Sequence, residues 1–95
     1  MGRLNRKAPK IVVTPPGPKS VELMRLRDKY VPKAVYNVTS IFVAESEGAV
    51  IKDVDGNVYI DFASGISCLN VGHRNSEVIK ALKEQLKNTF TYAFT

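Results

Sequence analysis

The sequence predicts an α/β fold in which a helix leads into a three-stranded antiparallel meander that is followed by a second helix. Three observations support this order. Apolar residues recur with helical spacing on both sides of a central stretch. That stretch contains three short runs rich in β-branched residues, as strands do. Glycine-containing turns separate the runs, and one of them is Asp55-Gly56, a pair that favours tight hairpins.

The composition is that of an ordinary globular protein and argues against a disordered chain. Of 95 residues, 44% are apolar and 24% are charged. The net charge is +5, but four of the 14 basic residues lie in the first fourteen positions, where no acid occurs. The remainder of the chain has ten basic and nine acidic residues. We therefore predict a solvated basic arm rather than a nucleic-acid surface, which needs Lys and Arg converging on one face.

The cysteine count and the N-terminal composition indicate the compartment. Cys68 has no second cysteine to pair with, so a secreted scaffold held by internal disulfides is excluded. The N-terminus is basic but has no apolar run of signal-peptide length, and no stretch approaches transmembrane length. The expectation is a cytoplasmic protein that binds neither membrane nor nucleic acid.

Residues 1–18 are predicted to be a basic, proline-rich arm, and residues 19–95 the folded part. Three prolines near the end of the arm favour an extended linker. Ser20 is expected to cap the first helix, with Glu22 in its first turn. Pro32 is expected to end this helix. Its apolar stripe consists of Leu23, Leu26 and Tyr30.

The three strands are predicted at residues 41–45, 49–53 and 58–62. Asp55 and Gly56 are expected to form a two-residue turn between the second and third strands, because this pair tolerates positive φ. A sheet this small cannot be stable unless its apolar face packs against another element.

A glycine-marked loop is predicted at residues 63–74, with the second helix after it. Asn75 is a good N-cap, and Glu77 places a negative charge in the first turn. The helix is expected to reach about Asn88. Its apolar side consists of Val78, Ile79, Leu82 and Leu86.

Residue chemistry by itself gives no complete active site. Asp53, Asp55 and Asp61 suggest a metal site, but no glutamate follows at the spacing of a calcium loop, and aspartate is common in turns for its geometry. Cys68 and His73 share one loop and could act as nucleophile and base. No orienting partner is evident, so the favoured interpretation is a buried thiol beside a histidine that closes the loop. No catalytic, cofactor-binding or metal-ligating residue is assigned.

A specific resemblance to a known family begins at Asp53. The chain reads DVDGNVYIDFASGISCLNVGHRN and continues, two residues later, with VIKALKEQL. These motifs closely resemble the N-terminal region of class III pyridoxal-phosphate-dependent aminotransferases of the 4-aminobutyrate, acetylornithine and ornithine types. The resemblance runs from about Pro15 and implies a segment of the small domain of a fold type I transferase. It also implies pyridoxal 5'-phosphate as cofactor, an amino donor and a 2-oxo acid as substrates, and a homodimer.

The family's residues that hold the cofactor lie downstream of the region that this chain resembles. They include the Schiff-base lysine, the aspartate beside the pyridine nitrogen and the phosphate-binding turn. The resemblance therefore implies an N-terminal fragment of a larger enzyme, inactive alone and without a covalent cofactor. Ser76 also replaces the family's usual proline, and Thr91-Tyr92 its usual His-Thr. The lysines that do not stand in the family's context are Lys29, Lys33, Lys52, Lys80, Lys83 and Lys87.

Three positions match substrate-contacting positions of the family. Tyr36 matches a tyrosine of ornithine-type members, Ile66 an apolar or aromatic pocket residue, and Thr95 a polar pocket position. Each position has an alternative interpretation: Tyr36 as a packing residue, Ile66 as a core residue and Thr95 as a terminal residue without a role in the pocket. The reaction class also stays open, since a racemase, an aminomutase or a decarboxylase would share the fold. A stand-alone small binding module with a basic arm is the remaining alternative.

Overall fold

A computed structural model describes residues 4 and 8–90 of the chain. Within that part a helix leads into three strands, one short helical turn and a final helix. The predicted succession of helix, meander and helix is confirmed. The elements are α1 Pro18–Tyr30, β1 Val43–Glu47, β2 Val50–Asp53, β3 Val58–Ile60, α2 Ser64–Ser67 and α3 Ser76–Leu86.

The three strands form one antiparallel sheet in the order β1-β2-β3. Ser46 pairs with Ile51 between β1 and β2, and Lys52 pairs with Val58 between β2 and β3. Both outer strands differ from the prediction, since β1 starts two residues later and β3 ends two residues earlier. β3 ends because the carboxylate of Asp61 accepts hydrogen bonds from the backbone that follows and turns the chain away from the sheet.

The hairpin turn between β2 and β3 is longer than predicted. Gly56 N donates to Asp53 O (3.1 Å), and Asp53 N donates to Asn57 O (2.9 Å). The loop therefore has three residues, and Gly56 lies at φ +95°, which glycine adopts without steric cost. The predicted two-residue turn is wrong in length because the Asp53 carboxylate accepts from the amides of Asp55 and Asn57 and so fixes the wider turn.

The first helix is capped by a residue from the hairpin turn. The Asp55 carboxylate accepts hydrogen bonds from Lys19 N (2.7 Å) and Ser20 N (3.0 Å), although it lies 35 residues away along the chain. Ser20 is buried inside α1, where its Oγ accepts from Phe42 N. The predictions that Ser20 is the cap and that Glu22 lies in the first turn are both wrong, because α1 starts earlier than expected.

Part of the basic arm lies against the hairpin. Lys10 pairs with Val58 through two backbone hydrogen bonds of 2.9 and 2.8 Å. The side-chain oxygen of Asn57 accepts from Val12 N and Val13 N. The side chains of this stretch are exposed to solvent, while the free edge of β3 and the turn supply hydrogen-bond partners for its backbone. Among the described residues, the buried apolar core consists of Leu4, Val50 and Val58.

The described residues leave much apolar surface uncovered. The radius of gyration is 15.6 Å, whereas a compact domain of this length has about 12 Å.

The predicted cap of α3 is confirmed, since Asn75 Oδ1 accepts from Glu77 N and Val78 N. The helix ends at Leu86 rather than Asn88, and its apolar side is half exposed. None of the helices in the described part is long and apolar enough to cross a membrane.

Candidate functional site

The loop that follows β3 is anchored by Asp61. Its backbone N donates to Ala49 O (2.8 Å), which fixes the start of the loop to the sheet. Its Oδ1 accepts from Ala63 N and Ser64 N, both at 3.0 Å. One residue therefore ties the first turn of the loop to the turn that precedes β2.

The second oxygen of Asp61 pairs with His73 from the other end of the loop. His73 Nε2 lies 2.6 Å from Asp61 Oδ2, and the side chains are 17% and 11% exposed. Because an ionised carboxylate only accepts hydrogen bonds, His73 carries a proton on Nε2. This bond, aided by those from the Ser64 and Ala63 amides, holds the pKa of Asp61 below its ordinary value although burial opposes the shift.

The backbone of His73 is fixed to the turn between β1 and β2. Gly48 N donates to His73 O (3.0 Å) and His73 N donates to Gly48 O (2.8 Å). Gly72 lies at φ +85°, and a Cβ there would come 3.2 Å from both Cα and O of Gly48. This close approach requires glycine, and it brings His73 within reach of Asp61.

Between these two anchors the chain makes one left-handed helical turn, α2. Its four residues have φ of +52°, +62°, +61° and +64°. Three of them are not glycine, and each such residue costs roughly 1–2 kcal/mol in this conformation. Ile66 is the least expected, because β-branched side chains crowd the backbone at positive φ. Its side chain is 74% exposed.

The loop and the sheet enclose a cleft of about 360 Å³. Asp61 and His73 lie on its wall, and the left-handed turn contributes Ser64. The cleft therefore combines the hydrogen-bonded pair of Asp61 and His73 with hydroxyl, amide and backbone groups. Its lining residues are Gly48, Ala49, Asp61, Ser64, Leu69, Asn70, Gly72 and His73.

Two of the three predicted substrate residues, Ile66 and Tyr36, do not line this cleft. Ile66 is on the outer side of α2, and its exposure shows that it is not packed in a core formed by the described residues. Tyr36 lies in the connection between α1 and β1 and is 83% exposed. Thr95 lies outside the described residues. The contacts of these three positions with a substrate stay predictions.

A second polar cluster lies in the hairpin turn. Asp53 is 1% exposed, and its carboxylate accepts from Asp55 N, Asn57 N, Asn57 Nδ2 and Tyr59 Oη. Burial raises the pKa of Asp53, but these four bonds outweigh it and the pKa lies below its ordinary value. Burial and the bond to Asp53 raise the pKa of Tyr59 to about 12. The cluster is a saturated structural network.

Two further expectations concern chemistry. Cys68 is exposed, so the interpretation as a buried thiol is wrong. Its Sγ lies 3.5 Å from Ile66 O, within the left-handed turn, rather than in a core formed by the described residues. Among the described residues, no three His, Cys, Asp or Glu side chains converge as metal ligands would.

A protein-family model decides the relationship of the chain. The model described as aminotransferase class-III matches residues 30–95, which include the meander, the whole loop and α3. The chain belongs to the class-III aminotransferase family.

Relatives of this class-III family member share its sequence over most of its length. The chain is 38% identical over 80 residues to the alanine/serine racemase of Pyrococcus horikoshii, covering 83% of the chain but 17% of the relative. It is 41% identical over 66 residues to the 4-aminobutyrate aminotransferase of Escherichia coli, covering 70% of the chain and 16% of the relative. The chain thus spans less than a fifth of the length of these relatives.

A solved structure is similar in fold. The acetylornithine aminotransferase of Elizabethkingia anophelis is 28% identical, with a TM-score of 0.67 over 79% of the chain and 18% of that protein. The class-III fold thus agrees with the helix, sheet and helix of the described residues.

The family uses pyridoxal phosphate, and the described residues do not fit a covalent site for it. A Schiff-base lysine needs a pocket that desolvates its amine beside donors for the phosphate. Every described lysine is exposed except Lys52, which is partly exposed and pairs with Glu45 at 3.5 Å. No step of the chemistry is therefore assigned to a lysine of this segment.

Sequence reasoning missed the pairing of Asp61 with His73 and the left-handed turn of this family member. The sequence suggests Asp61 as a member of a metal site and His73 as a base toward Cys68, and neither suggestion predicts that the two residues bond to each other. A signal for the turn existed, since an aspartate three residues before a serine often accepts from the backbone ahead of it. Nothing in the spacing of Asp61 and His73 indicated that they meet, because twelve residues separate them.

Proposed function

We propose that this segment is the N-terminal part of a pyridoxal-phosphate-dependent transaminase. The enzyme would move an amino group from an ω-amino or basic amino acid, of the 4-aminobutyrate, acetylornithine or ornithine type, to a 2-oxo acid. The observation that carries the proposal is the family match over residues 30–95. The names of the similar 4-aminobutyrate and acetylornithine aminotransferases support the donor class.

The proposal includes a longer polypeptide, called here the full-length enzyme. The relatives are about six times as long as the matched region, and no described lysine fits the cofactor. We therefore propose that a region beyond this segment holds pyridoxal phosphate, and that the full-length enzyme is a cytoplasmic homodimer. Residues 1–18 would form the arm and residues 19–95 the start of the small domain.

Within the full-length enzyme, Ile66, Tyr36 and Thr95 are proposed to contact the amino donor. The exposure of Ile66 and Tyr36 supports this, because a large apolar side chain left uncovered by its own segment is available to another surface. The role of this segment is to shape the site, while the cofactor supplies the electron sink for the transfer.

The test compares the 95-residue chain with the full-length enzyme. Pyridoxal phosphate is added to each, and the visible absorbance and the borohydride-trapped lysine are determined. The full-length enzyme is expected to bind the cofactor at one lysine and to form glutamate from 4-aminobutyrate and 2-oxoglutarate. The 95-residue chain is expected to do neither. A stoichiometric adduct at one lysine of the 95-residue chain would contradict the proposal.

A racemase is the second candidate, because one similar protein is an alanine/serine racemase. An aminomutase or a decarboxylase would share the fold. The racemase would convert L-alanine to D-alanine without a 2-oxo acid, whereas a transaminase needs an acceptor for the amino group. Incubation of the full-length enzyme with L-alanine alone, followed by chiral chromatography, separates the two candidates.

A further inference from the structure

A continuous chain of hydrogen bonds connects the sheet to the exposed left-handed turn. It starts at Gly48, whose backbone makes two bonds with the backbone of His73. It continues through the 2.6 Å contact between His73 and Asp61. It ends at Ala63 and Ser64, whose amides donate to Asp61.

The end of this chain is the part of the fold with the highest backbone cost. Three residues other than glycine in the left-handed turn cost about 3–6 kcal/mol together. The other bonds of α2 are local, since Ser67 N donates to Ala63 O and Cys68 N to Ser64 O. In the part of the chain that the structure describes, Asp61 is the residue that links α2 to the sheet by hydrogen bonds.

The geometry of Asp61 depends on His73. The carboxylate could rotate away from Ala63 and Ser64 if nothing held its second oxygen, and the 2.6 Å bond from His73 prevents this. His73 in turn is fixed at its backbone by Gly48 and lies mostly buried. Orientation of one side chain by a second, held by a third group, is how protein sites keep a functional group in place.

We propose that Asp61 and His73 are positioning residues that hold the left-handed turn and thereby set which amino donor the enzyme prefers. The inference rests on the proposed transaminase function. The turn carries Ile66 outward, so a change in its backbone moves that side chain while leaving the sheet and the arm in place. The pair acts through the turn and does not take part in the proton transfers.

The experiment uses the full-length enzyme with Asp61→Ala, His73→Ala, His73→Gln and the double variant Asp61→Ala/His73→Ala. Asp55→Ala is the matched control, because it also removes a carboxylate that accepts from two backbone amides, but at α1. Three quantities are measured: the kcat/KM ratio for 4-aminobutyrate over alanine, the absorbance of bound pyridoxal phosphate, and hydrogen exchange of the peptide covering residues 63–69.

Both alanine variants are expected to change the kcat/KM ratio by about tenfold, since small displacements of a contact residue are costly. Exchange at residues 63–69 should rise, cofactor absorbance should stay, and the double variant should match the single ones. His73→Gln retains a side-chain donor, so its kcat/KM ratio should lie closer to that of the unchanged enzyme than the ratio of His73→Ala does. The control should leave the ratio and this peptide unchanged.

Two results would overturn the inference: equal losses for both substrates, or exchange at residues 63–69 that does not respond to either variant. An enzyme that transfers no amino group would overturn the proposed function instead. The two failures are distinguishable, because hydrogen exchange at residues 63–69 is measured without substrate in the single and double variants.

Discussion

The hairpin turn at residues 53–59 and the loop at residues 61–73 are each organised by one aspartate, with opposite results. Asp53 is fully buried, and its four bonds hold a turn whose one unusual dihedral belongs to a glycine. Asp61 holds a turn in which three residues other than glycine are left-handed. The same side chain thus stabilises a regular structure in one place and maintains an unfavourable one in the other.

The difference indicates where the segment carries stability and where it carries function. A buried polar network with all partners present favours a single conformation. Strained backbone persists only where surrounding contacts determine it, and it concentrates at functional sites. The hairpin turn also accepts hydrogen bonds from the arm through Asn57 and from α1 through Asp55. The loop exposes Ile66 and leaves it for a partner surface. Changes in each region should therefore have different consequences.

The largest effect is expected from Asp53→Ala. It leaves four donors without an acceptor, and each buried donor left unpaired costs about 1–3 kcal/mol. The local opening free energy around the turn should fall by about 3 kcal/mol or more, as measured by hydrogen exchange of residues 53–59 in the full-length enzyme. Tyr59→Phe removes one donor and should cost about 1 kcal/mol. A smaller loss for Asp53→Ala than for Tyr59→Phe would contradict the network.

The second-largest loss of local stability is expected from Gly72→Ala. The new side chain would have to adopt φ +85° and would press on Gly48, so a loss of about 2 kcal/mol follows. The measurement is hydrogen exchange at Gly48 and His73. Gly65→Ala is the control, since its new Cβ would meet the flexible end of Leu69 instead of backbone. Equal losses of stability for the two changes would show that the close approach of Gly72 to Gly48 adds nothing to the cost of a side chain at position 72.

Elements defined by neighbouring residues could be predicted from the sequence, whereas those held by contacts between distant residues could not. The meander and α3 were predictable, because hydrophobic spacing and the Asn75 cap are local signals. The cap of α1 was not, because the carboxylate that replaces Ser20 comes from Asp55, far along the chain. The left-handed turn was not predictable either. The conformational preference of residues other than glycine disfavours it, and it is held by the contact of Asp61 with His73, which are distant in the sequence.

Asp55→Ala should have an intermediate effect within the hairpin region. It removes the acceptor of Lys19 N and Ser20 N, and a lost helix cap costs about 1 kcal/mol. Faster hydrogen exchange over the first turn of α1 would report this loss. Asp55→Asn retains an acceptor oxygen and should cost only a few tenths of a kcal/mol. Gly17→Ala should act in the same direction as Asp55→Ala, because its new Cβ would overlap the Asp55 carboxylate.

Acid should loosen both regions, and Asp61 lets the loop be followed separately. Its pKa is lowered in the fold, so its contribution is complete above the ordinary value of about 3.8 and is lost as the pH falls through the lowered pKa. A titration followed by the carboxyl chemical shift should therefore give Asp61 a pKa below that of an unperturbed aspartate. In Asp61→Asn the loop should lack this transition. A titration of Asp61 at or above the ordinary value would contradict the bond to His73.

The smallest effect, and the most direct test of strain, is expected from Ile66→Gly. The left-handed conformation costs isoleucine or alanine roughly 1–2 kcal/mol, whereas glycine adopts it freely. Glycine loses about 0.5–1 kcal/mol through its greater freedom in the unfolded chain. Ile66→Gly should therefore be more stable than Ile66→Ala by about 0.5–1 kcal/mol. Both variants lack the isoleucine side chain, so the loss of its contacts cancels in this comparison. Hydrogen exchange at residues 66–69 provides the measurement, and a less stable glycine variant would show that the turn is not strained at Ile66.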